Sequence, residues 1–132
     1  MTVVEASALV RVLAARDRSD VLFARLLDDA DLHAPHLVDV EVTHALRRLV
    51  AIGELGDDRA ADARLDLDAL PITRYPHAAL LDRAWELRHG LSVYDAVYVS
   101  LAEALDAPLI TCDRRLARAP GIRATVELFA SA

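Results

Sequence analysis

Lysine is absent from this chain, and all 15 of its basic residues are arginine. Against 21 acids they leave a formal net charge of −6, which argues against a broad basic surface that binds nucleic acid non-selectively. That balance still allows a nuclease whose acids hold metal, because bound cations invert the local electrostatics. A few well-placed arginines also suffice for phosphate, since the guanidinium is planar and bidentate. The single cysteine, Cys112, cannot form an internal disulfide, so a reducing, cytoplasmic setting is expected. Glycine is scarce, and Gly53, Gly56, Gly90 and Gly121 make neither a dinucleotide fingerprint nor a phosphate loop. A Ser/His/Asp hydrolase would need a Gly-x-Ser-x-Gly elbow, and none exists. No uncharged run approaches the length of a membrane span, and Glu5 interrupts the first apolar residues, so neither a membrane segment nor a signal peptide is expected.

What is present is a chain of 132 residues, 55% hydrophobic and rich in Ala, Leu and Val. That suits one helix-rich globular domain over 1–132 with a real core. Thr2-Val3-Val4 predicts a short strand ending on Glu5, followed by a helical pattern through Ala15. A second helix starts near Ser19-Asp20, and Asp31 to Ala34 is a weak strand bounded by Pro35. Leu37 to Ile52 predicts a helix whose apolar face is Val38, Val42, Ala45, Leu49 and Ile52, with Glu41 in its first turn and on that face. Asp57 to Leu70 predicts a polar, surface-exposed helix. Pro71 to Tyr75 suggests a strand, and Pro76 opens a helix running to His89.

The stretch from Leu91 to Asp113 organises the rest. Val93, Ala96, Val97, Leu101 and Ala104 mark one side of a helix that is apolar nearly all round, and Asp95 is the only charge between Leu91 and Glu103. Pro108 to Cys112 then reads as a buried strand ending on Asp113, and Ala124 to Phe129 as a final strand. Alternating strands and helices mean a parallel sheet covered on both sides.

Each acid has an ordinary explanation. Ser92 and Asp95 match a capping box, and Asp113 can cap a short helix. Their placement together is harder to dismiss. Glu5 and Asp113 lie at the carboxyl ends of strands, where open parallel sheets bind ligands, and helices that follow strands begin at the same edge. Glu5, Glu41, Asp95 and Asp113 could therefore meet. Carboxylates that meet raise one another's pKa unless cations bind, and hard oxygen donors select Mg²⁺ or Mn²⁺. Ions held in this way are a known device for phosphodiester hydrolysis.

Two rivals are thinned by the residues themselves. A phosphoacceptor receiver domain would carry an active-site lysine. A di-iron bundle could use Glu41 with His44 and Glu86 with His89, but the Pro108–Cys112 strand has no place in a bundle.

Four blocks together resemble the PIN-domain ribonucleases, in particular the VapC toxins of bacterial toxin–antitoxin pairs. They are Val3 to Val10, Pro35 through Glu41 to Arg48, Leu91 through Tyr94-Asp95-Ala96 to Glu103, and Leu109 to Leu116. The resemblance implies a three-layer α/β/α sandwich with a mainly parallel sheet and Mg²⁺-dependent endoribonuclease activity, with Mn²⁺ as a substitute. It also implies an RNA substrate, a homodimer and a VapB-like antitoxin as inhibitor. By position, the family's acid quartet falls on Glu5, Glu41, Asp95 and Asp113, with Glu5, Asp95 and Asp113 holding metal and Glu41 positioning it or the attacking water. Ser7 and Thr111 match supporting positions.

One position departs from the family pattern. The first acid is usually Asp, and here Glu5 carries its carboxylate about 1.5 Å further out, one carbon–carbon bond. Glu5→Asp is accordingly expected to raise Mg²⁺-dependent cleavage. The alternative is a PIN-like domain of impaired catalysis that binds RNA or its antitoxin.

Overall fold

Parallel strands buried on both faces need no alternation, and Thr2-Val3-Val4 shows none: all three are fully buried. In the computed structural model, which describes residues 1–15, 17 and 19–130, these form β1 (Thr2–Val4) at the centre of the sheet. There follow α1 (Ala6–Ala14), α2 (Val21–Asp28), β2 (Leu32–Pro35), α3 (Leu37–Ala51), α4 (Asp57–Ala69) and β3 (Thr73–Tyr75). A 3-10 turn at Ala78–Leu80 leads into α5 (Leu81–Glu86), then α6 (Val93–Leu105), β4 (Leu109–Thr111), α7 (Arg114–Arg118) and β5 (Val126–Leu128).

The strand order is β3-β2-β1-β4-β5, with every neighbouring pair parallel. Right-handed crossovers dictate the layers. The chain steps outward from β1 to β2 to β3, so the intervening helices share one face, where α1, α3 and α4 pack together. It then returns across the sheet to β4, so α5 and α6 cover the other face, with α6 against β1, β2 and β4. The result is the expected α/β/α sandwich. Between β1 and β4 the strand order reverses, and the connections that run outward from β1 and back to β4 lie on opposite faces, which leaves a crevice outside the carboxyl ends.

Several expectations need correction. The apolar stripe of α3 is Val38, Val42 and Leu46, while Ile52 lies beyond the helix and is 63% exposed. Asp39, not Glu41, occupies the first turn of α3, and it is held there by Arg74 at 2.6 and 2.9 Å. The N-terminus of α3 is capped from outside, His77 Nε2 accepting from the Leu37 N–H at 2.9 Å. Helix α4 is not simply a surface element, because it packs on α1 and α3 with Ala63 and Leu67 buried. The helix expected to reach His89 stops at Glu86. Burial of α6 is continuous only from Ala96 to Ala102, and Tyr94 in its first turn is 65% exposed. Among the described residues, no helix is long and apolar enough to cross a membrane.

Candidate active site

Glu5 follows β1 and serves as the N-cap of α1, an unusual task for glutamate. The extra methylene lets its carboxylate fold back, so that Oε2 accepts from the Ser7 N–H at 3.1 Å. The Ser7 hydroxyl also donates to Oε2, and the Thr111 hydroxyl donates to it at 2.8 Å. Thr111 ends β4, the neighbour of β1 across the switch point, so this clamp spans the crevice. It extends further: Thr111 Oγ1 accepts from the Asp113 N–H at 3.0 Å, and Ser7 Oγ accepts from the Cys112 N–H at 2.9 Å. Glu5 is only 6% exposed. Burial pushes its carboxyl pKa up, against the hydroxyl and amide donors that pull it down, and Asp95 adds to the rise. Among the described residues Oε1 has no protein donor, and it is open to the cleft.

Asp113 caps α7, its Oδ1 accepting from the Arg115 N–H at 2.8 Å, while Arg115 approaches Oδ2 at 3.7 Å. The capping explanation of this residue therefore holds, and it does not displace the other role, since Oδ2 remains free of any closer partner. Asp95 comes over the sheet edge from the opposite helical layer. Its N–H donates to Ser92 Oγ at 3.1 Å, so half of the capping box forms. Burial and then the nearby Asp113 push its carboxyl pKa up, with Ser92 and Arg115 opposing.

Glu41 is held by a residue that sequence reasoning missed. The fully buried Tyr98 donates its hydroxyl to Glu41 Oε1 at 2.7 Å, joining α6 to α3. Burial raises the Glu41 carboxyl pKa, the tyrosine hydrogen bond opposes it, and Glu5 and Asp95 raise it further. The same surroundings push the Tyr98 hydroxyl far up, so it stays a donor. The available signal was spacing: Tyr98 follows Asp95 by three residues and shares its helix face.

All four predicted acids thus lie at the β1/β4 crevice and influence one another. Glu5, Glu41 and Asp113 line a cleft of about 700 Å³ together with Ser7, Ala45 and Arg115, and Asp95 approaches from the α6 side. Three carboxyls with raised pKa and an open Glu5 oxygen fit an oxygen-preferring divalent cation. Among the described residues, no three His, Cys, Asp or Glu side chains stand close enough to coordinate one ion as they are. The acids are neighbours rather than a closed cage. Cys112, half-buried beside the Arg11 guanidinium, has its thiol pKa raised by burial, which suits a packing role rather than a nucleophile.

Comparison with known proteins fits this geometry. A family model described as PIN domain matches residues 2–122. The chain is 47% identical over 130 residues to Ribonuclease VapC1 of Mycobacterium tuberculosis, covering 96% of each. It is 38% identical over 130 residues to Ribonuclease VapC12 of the same organism, covering 98% of this chain and 100% of that one. In fold it is similar to PAE2754 from Pyrobaculum aerophilum, with a TM-score of 0.69 at 25% identity, over 95% of this chain and 81% of that one. The crystal structure of VapBC2 from Rickettsia felis bound to a promoter DNA fragment gives the same TM-score of 0.69 over 97% and 98% of the two chains. Its 16% identity makes that a likeness of fold.

Proposed function

This chain belongs to the PIN-domain family, and on that premise we propose that it is the toxin of a VapBC-type pair, a metal-dependent endoribonuclease. The observation that carries the reading is the convergence of Glu5, Glu41, Asp95 and Asp113 at the β1/β4 crevice, with Glu5 clamped by Ser7 and Thr111. High identity to proteins named ribonucleases, over nearly the whole chain, supports it.

Glu5, Asp95 and Asp113 would hold the cation, Mg²⁺ by preference and Mn²⁺ as a substitute. When bound, it supplies charge neutralisation at the scissile phosphate and lowers the pKa of water. The chain's own residues do the rest. Ser7 and Thr111 fix one oxygen of Glu5, so that only Oε1 faces the cleft and cannot wander. Tyr98 likewise occupies Glu41 Oε1 and leaves Oε2 to orient the attacking water and accept its proton. The raised pKa of Glu41 strengthens it as a base. Arg115 beside Asp113 lies where a phosphate can draw it away.

The partner is a VapB-like antitoxin. An acidic cleft invites a cation, so the antitoxin is expected to place an Arg or Lys against Asp95 or Asp113. A homodimer and a cytoplasmic location complete the proposal. The test is cleavage of RNA by the purified protein with Mg²⁺ or Mn²⁺. Cleavage that is abolished by EDTA and by the co-expressed antitoxin is expected; a protein that binds RNA without cutting it in either metal would overturn the reading.

A further inference from the structure

Several of the described arginines are already committed. Arg11 grips Asp20 at 2.8 and 2.9 Å and the Phe129 carbonyl at 2.7 Å. Arg25 grips Glu127 at 2.8 and 3.0 Å, and Arg83 reaches Glu103 at 2.8 Å. Around the acidic cleft the pattern reverses. Arg114 and Arg115 line it and are exposed. Arg115 has a side chain 90% exposed and only the loose 3.7 Å approach to Asp113. Among the described residues nothing holds the Arg114 side chain.

The other end of the cleft is lined from α3 by Glu41 and Ala45. Arg48 comes three residues after Ala45 and seven after Glu41, on the same helix stripe. It is exposed, and among the described residues its side chain has no partner. Its place in the last turn of α3 suits the helix dipole, which accounts for its charge but not for its side. Arg47, next to it, faces a different groove with Asp39 and His44.

We propose that Arg48, Arg114 and Arg115 form a track that holds the phosphodiester backbone of single-stranded RNA across the acids, a proposal that rests on the ribonuclease reading. Carboxylates repel the strand they must cut, so cations are needed on both sides of them. In a chain of net charge −6, Arg114 and the loosely held Arg115 on one side of the acidic cleft, and Arg48 on the α3 stripe that continues from Glu41 and Ala45 on the other, supply that. Arg11 lines the cleft too, but its donors are spent on Asp20 and Phe129.

The track is read from the salt dependence of binding. Fluorescence anisotropy of a labelled oligouridylate, with EDTA present to prevent cleavage, gives the slope of log K against log salt. Each of Arg48→Gln, Arg114→Gln and Arg115→Gln should flatten that slope by about 0.7, and the triple variant by about 2, as expected for lost phosphate contacts to a single strand. Arg123→Gln removes the same charge at the opposite end of the sheet, near Ala107 and Pro108, and should leave the slope unchanged. Unchanged slopes in the three variants, equal flattening in Arg123→Gln, or no binding by the wild type even at about 20 mM KCl would each overturn the proposal. Arginine-dependent binding without cleavage in Mg²⁺ or Mn²⁺ would keep the track and overturn the ribonuclease reading. Cleavage with unaltered slopes would do the reverse.

Discussion

Thr111→Val probes the clamp at its centre. Valine matches threonine in shape, suits β4, and removes only the hydroxyl from a fully buried site. Two short contacts go with it, the donation to Glu5 Oε2 at 2.8 Å and the acceptance from the Asp113 N–H at 3.0 Å, besides a longer one to the Ser7 hydroxyl at 3.4 Å. A hydrogen bond to a charged group contributes about 1.5–3 kcal/mol, and a stranded N–H costs about 1–3 kcal/mol. The added methyl group returns roughly 0.8 kcal/mol of burial, so a net loss of about 2–5 kcal/mol is expected. A domain in the middle or upper part of the usual range of about 5–15 kcal/mol survives that loss and still folds. Glu5 is also freed to rotate, and misplacement of a catalytic group by about 1 Å costs on the order of a hundredfold in rate. Urea unfolding in EDTA measures the first effect, and RNA cleavage across a Mg²⁺ titration measures the second. Thr111→Ser keeps the hydroxyl and should keep most of the activity. A Thr111→Val protein within about 0.5 kcal/mol of wild type, cleaving at the same Mg²⁺ concentration, would refute the clamp, since surface-like substitutions fall in that range.

Tyr98→Phe keeps the buried ring and removes the hydrogen bond to Glu41, so cleavage should fall roughly tenfold or more, as for a lost contribution to general-base catalysis, while the protein still folds with its stability lowered by about 1.5–3 kcal/mol. Glu5→Asp should lower cleavage, the opposite of what the family pattern alone suggests, because a shorter side chain withdraws from Thr111; a gain in Mg²⁺-dependent rate would restore the first expectation. Asp95→Asn should abolish cleavage while leaving the metal-free protein at least as heat-stable as wild type near neutral pH, because burial and Asp113 disfavour the charged form. The same logic sets the pH dependence of the metal-free protein. Glu5, Glu41 and Asp95 have folded pKa values raised above the ordinary carboxyl values of the unfolded chain, so the folded state holds protons that the unfolded chain releases. Stability should therefore fall as pH rises above those values toward neutrality, until the folded carboxyls have ionised. Carboxyls with lowered pKa, such as Glu103 beside Arg83, act in the opposite sense and at lower pH. Melting temperatures in EDTA that rise steadily from acid to neutral pH would contradict this.

Much of this was legible in the sequence because it depends on local pattern. The runs Thr2-Val3-Val4 and Leu109-Ile110-Thr111 announce buried strands by composition alone, and each is followed by an acid at a helix start. The right-handed crossover rule then brings strand ends and helix starts to one edge without further information. What was not legible depends on partners far away in sequence. Tyr98 looks like core until α3 is known to lie within reach of its hydroxyl, 57 residues distant in the chain. The false inclusion of Ile52 came from extending a helical period past a helix that ends at Ala51, where Gly53 turns the chain away with a φ of 78°. Leu46, one turn after Val42, joins the buried stripe at 3% exposure, a place that the period through Ala45 and Leu49 does not give it. The burial of Ala63 and Leu67 is likewise invisible locally, because their Asp-rich surroundings give α4 no clear apolar face.

The central claim is that carboxylates gathered at the β1/β4 crevice hold the divalent cation that the ribonuclease needs. Calorimetric titration of Mn²⁺ into wild type and into Glu5→Gln, Asp95→Asn, Asp113→Asn and Glu41→Gln tests it directly. Saturable binding is predicted for wild type, its loss in the first three variants, and weakened binding in Glu41→Gln. Binding of the same strength in Asp95→Asn and Asp113→Asn would contradict the account and move the metal away from this site.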